Sequence, residues 1–422
     1  MFFAKEILHN LGRGPLYDYR DGLLYFIYVD CDSNRLIDRM TSMHITYLIG
    51  AGASCAIAPK NIPGMQMLAS MAEYFPKEIE KFKKLLVETG IYKEFIFPKD
   101  LIRPGNTMPE NISKLNIEKL LQELEDVASW GTHDQAGAAD LAHNLIQSLL
   151  TRLFSRLNSD FVSKTEKNPY DLLAAAIAAD RHGHKHHFIS FNYDVWLEQA
   201  LQRHGLWNPV NGYLSNNVNP LPIRYLASAR TLEHLPSNEP SPTLVLKPHG
   251  SLSWLTPQDD PYGIPTLLLD KDGLAEGGKH TLGAPTYLPP GTDSVEITHE
   301  SKRQKFAPLI IPPVLNKAVG GEFLYKVHKA VQREFESSDA VVIIGWSMPP
   351  TDASIRQRIA DGLAPRSDSN NLKWLITCNF MKTDLFYNRY RATIPAKRSS
   401  MYDDGFGAGF IGAALSGLWE NR

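Results

Sequence analysis

His44-Ile45-Thr46-Tyr47-Leu48-Ile49-Gly50-Ala51-Gly52-Ala53-Ser54 is an apolar run that reads as a buried strand, entering a Gly-Ala-Gly turn with a hydroxyl where a helix should begin. Glycines let the chain turn tightly and approach a ligand closely, and a helix N-terminus offers unpaired N–H groups with a partial positive charge. A pyrophosphate suits such a turn. A Gly-x-Gly turn also serves tight strand-to-helix packing, so at this point both readings stand. The third glycine of a hydride-transfer fingerprint is missing, because Ser54 and Cys55 follow, and a plain dehydrogenase is disfavoured.

Working outward, short apolar strands recur at residues 187–191, 244–247, 309–311, 340–344 and 372–377, several of them followed by helical stretches. That alternation predicts a parallel sheet in an α/β fold. From about residue 65 to 180 apolar residues fall at three and four spacing, as in Ile117, Leu120, Leu121 and Leu124, which predicts a helical module inserted after the first strand and its helix. Residues 255–308 are rich in Gly, Pro and Asp and read as an irregular insertion, a long connection with room for one hairpin. Residues 1–39 match nothing downstream and are an extension of doubtful status, either an added element or the product of a start codon placed too early. The main domain is read as 40–422.

Polar residues stand where the strands end. Phe191-Asn192-Tyr193-Asp194 closes one strand, and ligands of open parallel sheets bind beyond the carboxyl ends of strands. The competing expectation is that Asn192 caps a helix over residues 195–201. Lys247-Pro248-His249-Gly250-Ser251 closes another strand, and His249 is a general-base candidate because an unperturbed imidazole titrates near neutral pH, although a lone strand-end histidine is usually just hydrogen-bonded. Gly345-Trp346-Ser347 ends a third, with Thr351 or Asp352 as an N-cap after it, and Asn379 ends a fourth.

A net charge of -2 gives no broad attraction to phosphate backbones, so neither nucleic-acid nor anionic-membrane binding is expected. The longest apolar stretch near the N-terminus, residues 23–29, is far short of the roughly 20 residues that span a bilayer. Cys31, Cys55 and Cys378 never pair as CxxC, which excludes a four-thiolate zinc site and points to a reducing cytoplasm. His182, His184, His186 and His187 form a dense run without an acidic or cysteine partner at ligand spacing, so it reads as a solvated turn and no metal is assigned.

Taken in order, Gly-Ala-Gly-Ala-Ser, Phe-Asn-Tyr-Asp, Lys-Pro-His-Gly-Ser, Gly-Trp-Ser and the late Asn379 resemble the sirtuin superfamily, most closely its bacterial sirtuin-like NAD-hydrolase branch, over roughly residues 45–379. The resemblance implies a Rossmann-like, doubly wound parallel sheet and NAD as substrate. It implies that Gly50, Ala51, Gly52 and Ser54 hold the pyrophosphate, that Gly345, Ser347 and Asn379 line the adenosine half, and that Asp194 holds the nicotinamide carboxamide. Asn192 would position the ribose or a water, and His249 would act as base. Protein-deacylating sirtuins carry a zinc module and a Gly-Ile-Pro-Asp-Phe-Arg stretch. This chain lacks the paired cysteines and has Asn61-Ile62-Pro63-Gly64-Met65-Gln66 instead, so hydrolysis is favoured over deacylation.

The expected activity is therefore cleavage of the nicotinamide–ribose bond to nicotinamide and ADP-ribose, in an effector that depletes NAD during bacterial anti-phage defence. A homo-oligomer is expected, with a partner ATPase or nucleic-acid-sensing protein as a means of control. The alternatives are a non-catalytic NAD or ADP-ribose binding module that regulates a partner and, less favoured, a protein deacylase.

Overall fold

The computed structural model describes residues 16–20, 23–27, 42–57, 65–90, 117–161, 168–180, 182–209, 211–213, 224–227, 231–234, 241–260, 263–270, 283–289, 292–299, 302–311, 321–366, 371–379 and 384–420. The chain divides into two units, Met1–Thr41 and Ser42–Arg422. In the first, β1 (Leu16–Arg20) and β2 (Leu23–Ile27) form an antiparallel hairpin in which Leu16 faces Ile27.

In the second unit, β3 (His44–Ile49) is buried at all six positions, as expected of an inner parallel strand covered on both faces. It pairs with β4 (Lys185–Ser190) on one side and β12 (Ala340–Ile344) on the other. The sheet is completed by β7 (Leu244–Leu246), β13 (Leu372–Cys378) and β14 (Ala396–Tyr402), in the order β14-β13-β12-β3-β4-β7, every neighbouring pair parallel. Numbered within this sheet the order is 6-5-4-1-2-3, the doubly wound arrangement of dinucleotide-binding folds. Its direction reverses between β3 and β12, and the crevice at that switch point lies beyond the carboxyl ends of those two strands.

Between β3 and β4 the described residues form α1 (Ala51–Cys55) and then the inserted helices α2 (Met65–Tyr74), α3 (Pro76–Glu88), α4 (Ile117–Trp130), α5 (His133–Phe161) and α6 (Pro169–Ala178). Local chemistry starts several of them. In α3 a proline sits in the first turn with Glu78, and Ile79, Phe82, Leu85 and Leu86 bury one face. At α6 the Asn168 side chain accepts the Tyr170 N–H at 2.9 Å and Pro169 follows the cap. The module is tied together by Arg152 of α5, which pairs with Glu78 at 2.8 Å and lies over the Phe75 ring at 4.4 Å.

The expectation for residues 255–308 is corrected. They contribute to a second six-stranded sheet built from β5 (Arg224–Ala227), β6 (Thr231–His234), β8 (Gly250–Pro257), β9 (Thr266–Leu268), β10 (Val295–His299) and β11 (Lys302–Ile310), in the order β10-β11-β8-β9-β5-β6. Leu255, Leu268, Leu288, Ile297 and Phe306 form its own small core. The apolar residues at 309–311 therefore do not extend the parallel sheet: β11 runs antiparallel to β8, with a register shift between Pro308 and Leu309. The chain enters this second sheet twice, through β5 and β6 between β4 and β7 and through β8 to β11 after β7, and returns through α8 (Glu322–Ser337) to β12. Helices α9 (Ala353–Leu363) and α10 (Asp384–Thr393) then connect β12 to β13 and β13 to β14, and α11 (Ala408–Glu420) follows. No helix among the described residues is long and apolar enough to cross a membrane.

Candidate functional site

The two glycine turns at the switch point touch each other. The Gly50 N–H donates to Ile344 O and the Gly52 N–H to Gly345 O, both at 2.9 Å. A Cβ on Gly52 would stand 2.7 Å from Gly345 Cα, and one on Gly345, whose φ is +64°, would stand 2.2 Å from Ala53 N. Backbone against backbone cannot give way, so these glycines are required by the close approach of the β3 and β12 ends whatever else binds there. Gly52 N–H is committed to this contact. Ala51 and Gly52 are half-buried at the turn.

Ser54 turns inward rather than toward the turn's surface. Its Oγ donates to Asp194 Oδ2 at 2.7 Å and accepts from Asn192 Nδ2 at 2.9 Å and from the Tyr170 hydroxyl at 3.1 Å. Asn192 Nδ2 also donates to Gly50 O at 3.0 Å. The amide thus fastens the end of β4 to the turn after β3. The expected capping role of Asn192 is not found: the helix is α7 (Trp196–Arg203), and Asp194 Oδ1 accepts its Trp196 N–H at 3.3 Å. Asp194 is buried with a protein donor on each oxygen, and burial raises its pKa while the nearby Lys247 ammonium opposes the rise.

Lys247, the residue before Pro248 and His249, is itself fully buried. Its Nζ lies 2.9 Å from Glu198 Oε1, where both side chains are inaccessible, and donates to the Asp194 carbonyl. Burial raises the Glu198 pKa, again against the attraction of Lys247. This buried pair links the end of β7 to α7 and to the loop carrying Asn192 and Asp194.

His249 stands at the carboxyl end of β7. Its Nε2 lies 3.2 Å from Asp352 Oδ1, and Asp352 Oδ2 accepts the Trp346 indole N–H at 2.9 Å. A carboxylate only accepts, so the proton of a neutral His249 sits on Nε2 and the lone pair on Nδ1. The expectation of a helix cap at Thr351 or Asp352 is corrected in part: Asp352 precedes α9 but caps none of its N–H groups with its side chain. Phe191, next to Asn192, stacks on Trp346 with centroids 4.4 Å apart and lies 5.4 Å from the His249 ring. Gly250, at φ +80°, continues into β8 where a Cβ would meet Leu309 O at 2.1 Å.

On the other side of the crevice Gly345 follows β12, Ser347 is exposed, and Asn379 follows β13. Asn379 Nδ2 donates to the Tyr390 hydroxyl at 2.7 Å, which in turn donates to the Trp346 carbonyl. Met348 holds a positive φ of 53°, and Arg389 donates to the carbonyls of Ser347 and Met348 at 3.1 and 3.2 Å. The structure thus brings Gly50, Ala51, Gly52, Ser54, Asn192, Asp194, His249, Gly345, Ser347 and Asn379 to the carboxyl edge of one sheet. The stretch 61–64 and the Met65 and Gln66 side chains lie outside the described residues.

Sequence reasoning missed Tyr170, Lys247 with Glu198, and the pairing of Asp352 with His249. Cys55 is beside the site, but burial, followed by the charge of Asp194, pushes its thiol up to about 12, which leaves no thiolate for nucleophilic work.

The histidine run is also corrected. His182 and His184 flank a turn, but His186 and His187 are buried in β4. His186 meets Asp180 Oδ2 at 3.2 Å and the Tyr47 hydroxyl at 3.0 Å, and His187 Nδ1 meets Glu334 Oε2 at 2.7 Å.

No family model matches this sequence, and no curated protein is similar to it. Solved structures similar to the chain include a Sir2 homologue in complex with NAD, 13% identical over 90% of this chain and 91% of that one, with a TM-score of 0.37. They also include a variant Sir2 homologue in complex with ADP-ribose, 13% identical over 91% of this chain and 96% of that one, with a TM-score of 0.38. At this distance the likeness carries no residue's role over to this chain.

Proposed function

We propose that this chain is an NAD glycohydrolase of the sirtuin-like type, hydrolysing the nicotinamide–ribose bond. The observation that carries the reading is the Asp352–His249 pair at the crevice: a buried carboxylate 3.2 Å from Nε2 orients the imidazole to which the sirtuin resemblance gives the role of base. Supporting it, Asn192 comes to the same sheet edge from the neighbouring strand, and the motif order along the chain resembles that of the sirtuin superfamily.

In the proposed reaction the bond between the ribose anomeric carbon and nicotinamide breaks, and its electron pair leaves with nicotinamide. A water oxygen bonds to the oxocarbenium-like carbon as His249 Nδ1 accepts a water proton, later released to solvent. Asn192, its NH2 committed to Gly50 O and Ser54 Oγ, contributes its amide oxygen to orient that water. General-base assistance of this kind is worth about 100- to 10,000-fold. The glycine turn would lie against the pyrophosphate, with the inward-turned Ser54 bracing Asn192 and Asp194 rather than touching it, Gly345, Ser347 and Asn379 against the adenosine half, and Asp194 near the carboxamide. The products are nicotinamide and ADP-ribose. The reading extends to a regulated NAD-depleting role in bacterial defence, with control through self-association or a partner ATPase or nucleic-acid sensor.

One observation favours a second reading, a binding module for NAD or ADP-ribose: the Asn192 NH2 group and both Asp194 oxygens are engaged with Gly50, Ser54 and Trp196, which leaves fewer groups for chemistry. Incubating the purified chain with NAD and measuring free nicotinamide separates the two. Binding without release supports the module, and release that requires His249 supports the hydrolase.

A further inference from the structure

At the amino edge of the parallel sheet, opposite the crevice, three side chains from three elements converge. His44 opens β3, His187 lies in β4, and Glu334 lies in α8; each is more than nine-tenths buried. His44 Nε2 is 2.9 Å and His187 Nδ1 is 2.7 Å from the same oxygen, Glu334 Oε2, and the three atoms all lie within 4.8 Å of one another. The two imidazole rings meet edge to face with centroids 4.8 Å apart.

The hydrogen bonding of this cluster depends on the His44 tautomer. Ser337 Oγ lies 3.0 Å from His44 Nδ1 and 3.3 and 3.4 Å from the Arg333 and Glu334 carbonyls, so it accepts from Nδ1 whenever it donates to a carbonyl. In that arrangement a neutral His44 carries its proton on Nδ1 and turns the Nε2 lone pair inward, as a metal ligand would; in the other tautomer Nε2 donates to Glu334. Against its burial, both imidazoles hold the Glu334 carboxyl down at about 2, so the shared oxygen is ionised. An ionised carboxylate oxygen shared by two buried imidazoles is a donor set that either protons or one divalent cation can satisfy. A serine that holds the outer nitrogen of an imidazole while the inner one faces a shared centre is also the arrangement that orients metal-binding histidines.

We infer that His44 Nε2, His187 Nδ1 and Glu334 Oε2 form a binding site for one divalent transition-metal ion, zinc being the best fit to two imidazoles and a carboxylate. With bonds of about 2.0–2.1 Å, neighbouring ligand atoms of a tetrahedral zinc stand roughly 3.3 Å apart, so the carboxylate need only retreat by a few tenths of an ångström while the imidazoles close in. Three protein ligands leave a fourth position for water. Because the site joins β3, β4 and α8 at the edge away from His249, the ion fastens the sheet and does not enter the proposed reaction. The site is therefore independent of that reading.

The test uses the full chain purified without a polyhistidine tag. Elemental analysis after gel filtration is expected to find about one zinc per chain, chelation to lower the melting temperature, and added zinc to restore it. His44→Ala is expected to lose the metal. Cobalt loaded into the stripped wild type is expected to give the visible absorption of a low-symmetry four-coordinate site, which needs no variant to fold. Wild-type protein that carries no metal, and whose melting temperature is unmoved by micromolar zinc or cobalt, would overturn the inference and leave the cluster as a hydrogen-bonded brace.

Discussion

His249 Nε2 lies 3.2 Å from Asp352 Oδ1, and the second oxygen of that carboxylate is held by the indole N–H of Trp346 at 2.9 Å. The imidazole is thereby oriented by a residue that is itself oriented. Asp352→Asn keeps the size of the side chain but lets an amide N–H replace an acceptor, which favours the wrong tautomer of His249. The expected result is a fall in kcat for nicotinamide release of about 100-fold or more with little change in KM, together with an altered pH profile. Equal loss in KM alone would point to a binding role for Asp352.

The contact between the glycine turns makes a prediction about stability. Gly345→Ala places a methyl 2.2 Å from Ala53 N at a φ of +64°, so the β3 and β12 ends must part. A loss of roughly 2–4 kcal/mol is expected in denaturant unfolding without NAD. If the variant unfolds like wild type, these glycines serve ligand approach alone.

Lys247 and Glu198 are both inaccessible and 2.9 Å apart. Lys247→Met leaves a buried carboxylate uncompensated and is expected to cost about 3–5 kcal/mol, whereas adding Glu198→Leu should recover most of that loss. Equilibrium unfolding of the single and double variants checks this. A double variant no better than the single would show that the pair does not act as a unit.

Burial lowers the pKa of His143 on α5, against the pull of Asp140. Below its ordinary value of about 6.5 the unfolded chain takes a proton that the folded chain refuses, so this contribution to stability is present above that pH and is lost as pH falls through the lowered folded value. His143→Gln should flatten the decline in stability between pH 6.5 and 5 by up to about 1.4 kcal/mol per pH unit. Parallel pH series for wild type and variant give the comparison. An unchanged slope would mean that His143 titrates alike in both states.

What could be read from the sequence follows from range. The parallel strands and their polar ends were legible because an apolar run and the turn after it lie within a few residues of each other, as from His44 to Ser54 or from Leu244 to Ser251. The second sheet was not, because β5, β6 and β9 are three or four residues long and their partners are set by tertiary pairing. Asp352 looks like a helix cap in sequence, since an aspartate before a helix carries the same local signal whether it caps or pairs with a distant histidine. His186 and His187 looked solvated for the same reason: Glu334, which meets His187, is supplied from another element. Asn192 and Asp194 were found by position, but their engagement with Ser54 and Tyr170 depends on how α1 and α6 meet the sheet edge.

The most direct measurement follows NAD, nicotinamide and ADP-ribose together by mass while the purified chain and its His249→Ala variant are incubated with NAD. Hydrolysis predicts nicotinamide and ADP-ribose in equal amounts from the wild type, unaffected by an acetyl-lysine peptide. It predicts a rate at least about 100-fold lower in the variant, while NAD still raises the variant's melting temperature. NAD that stabilises the wild type yet is never cleaved, or cleavage that proceeds undiminished without His249, would contradict the assignment.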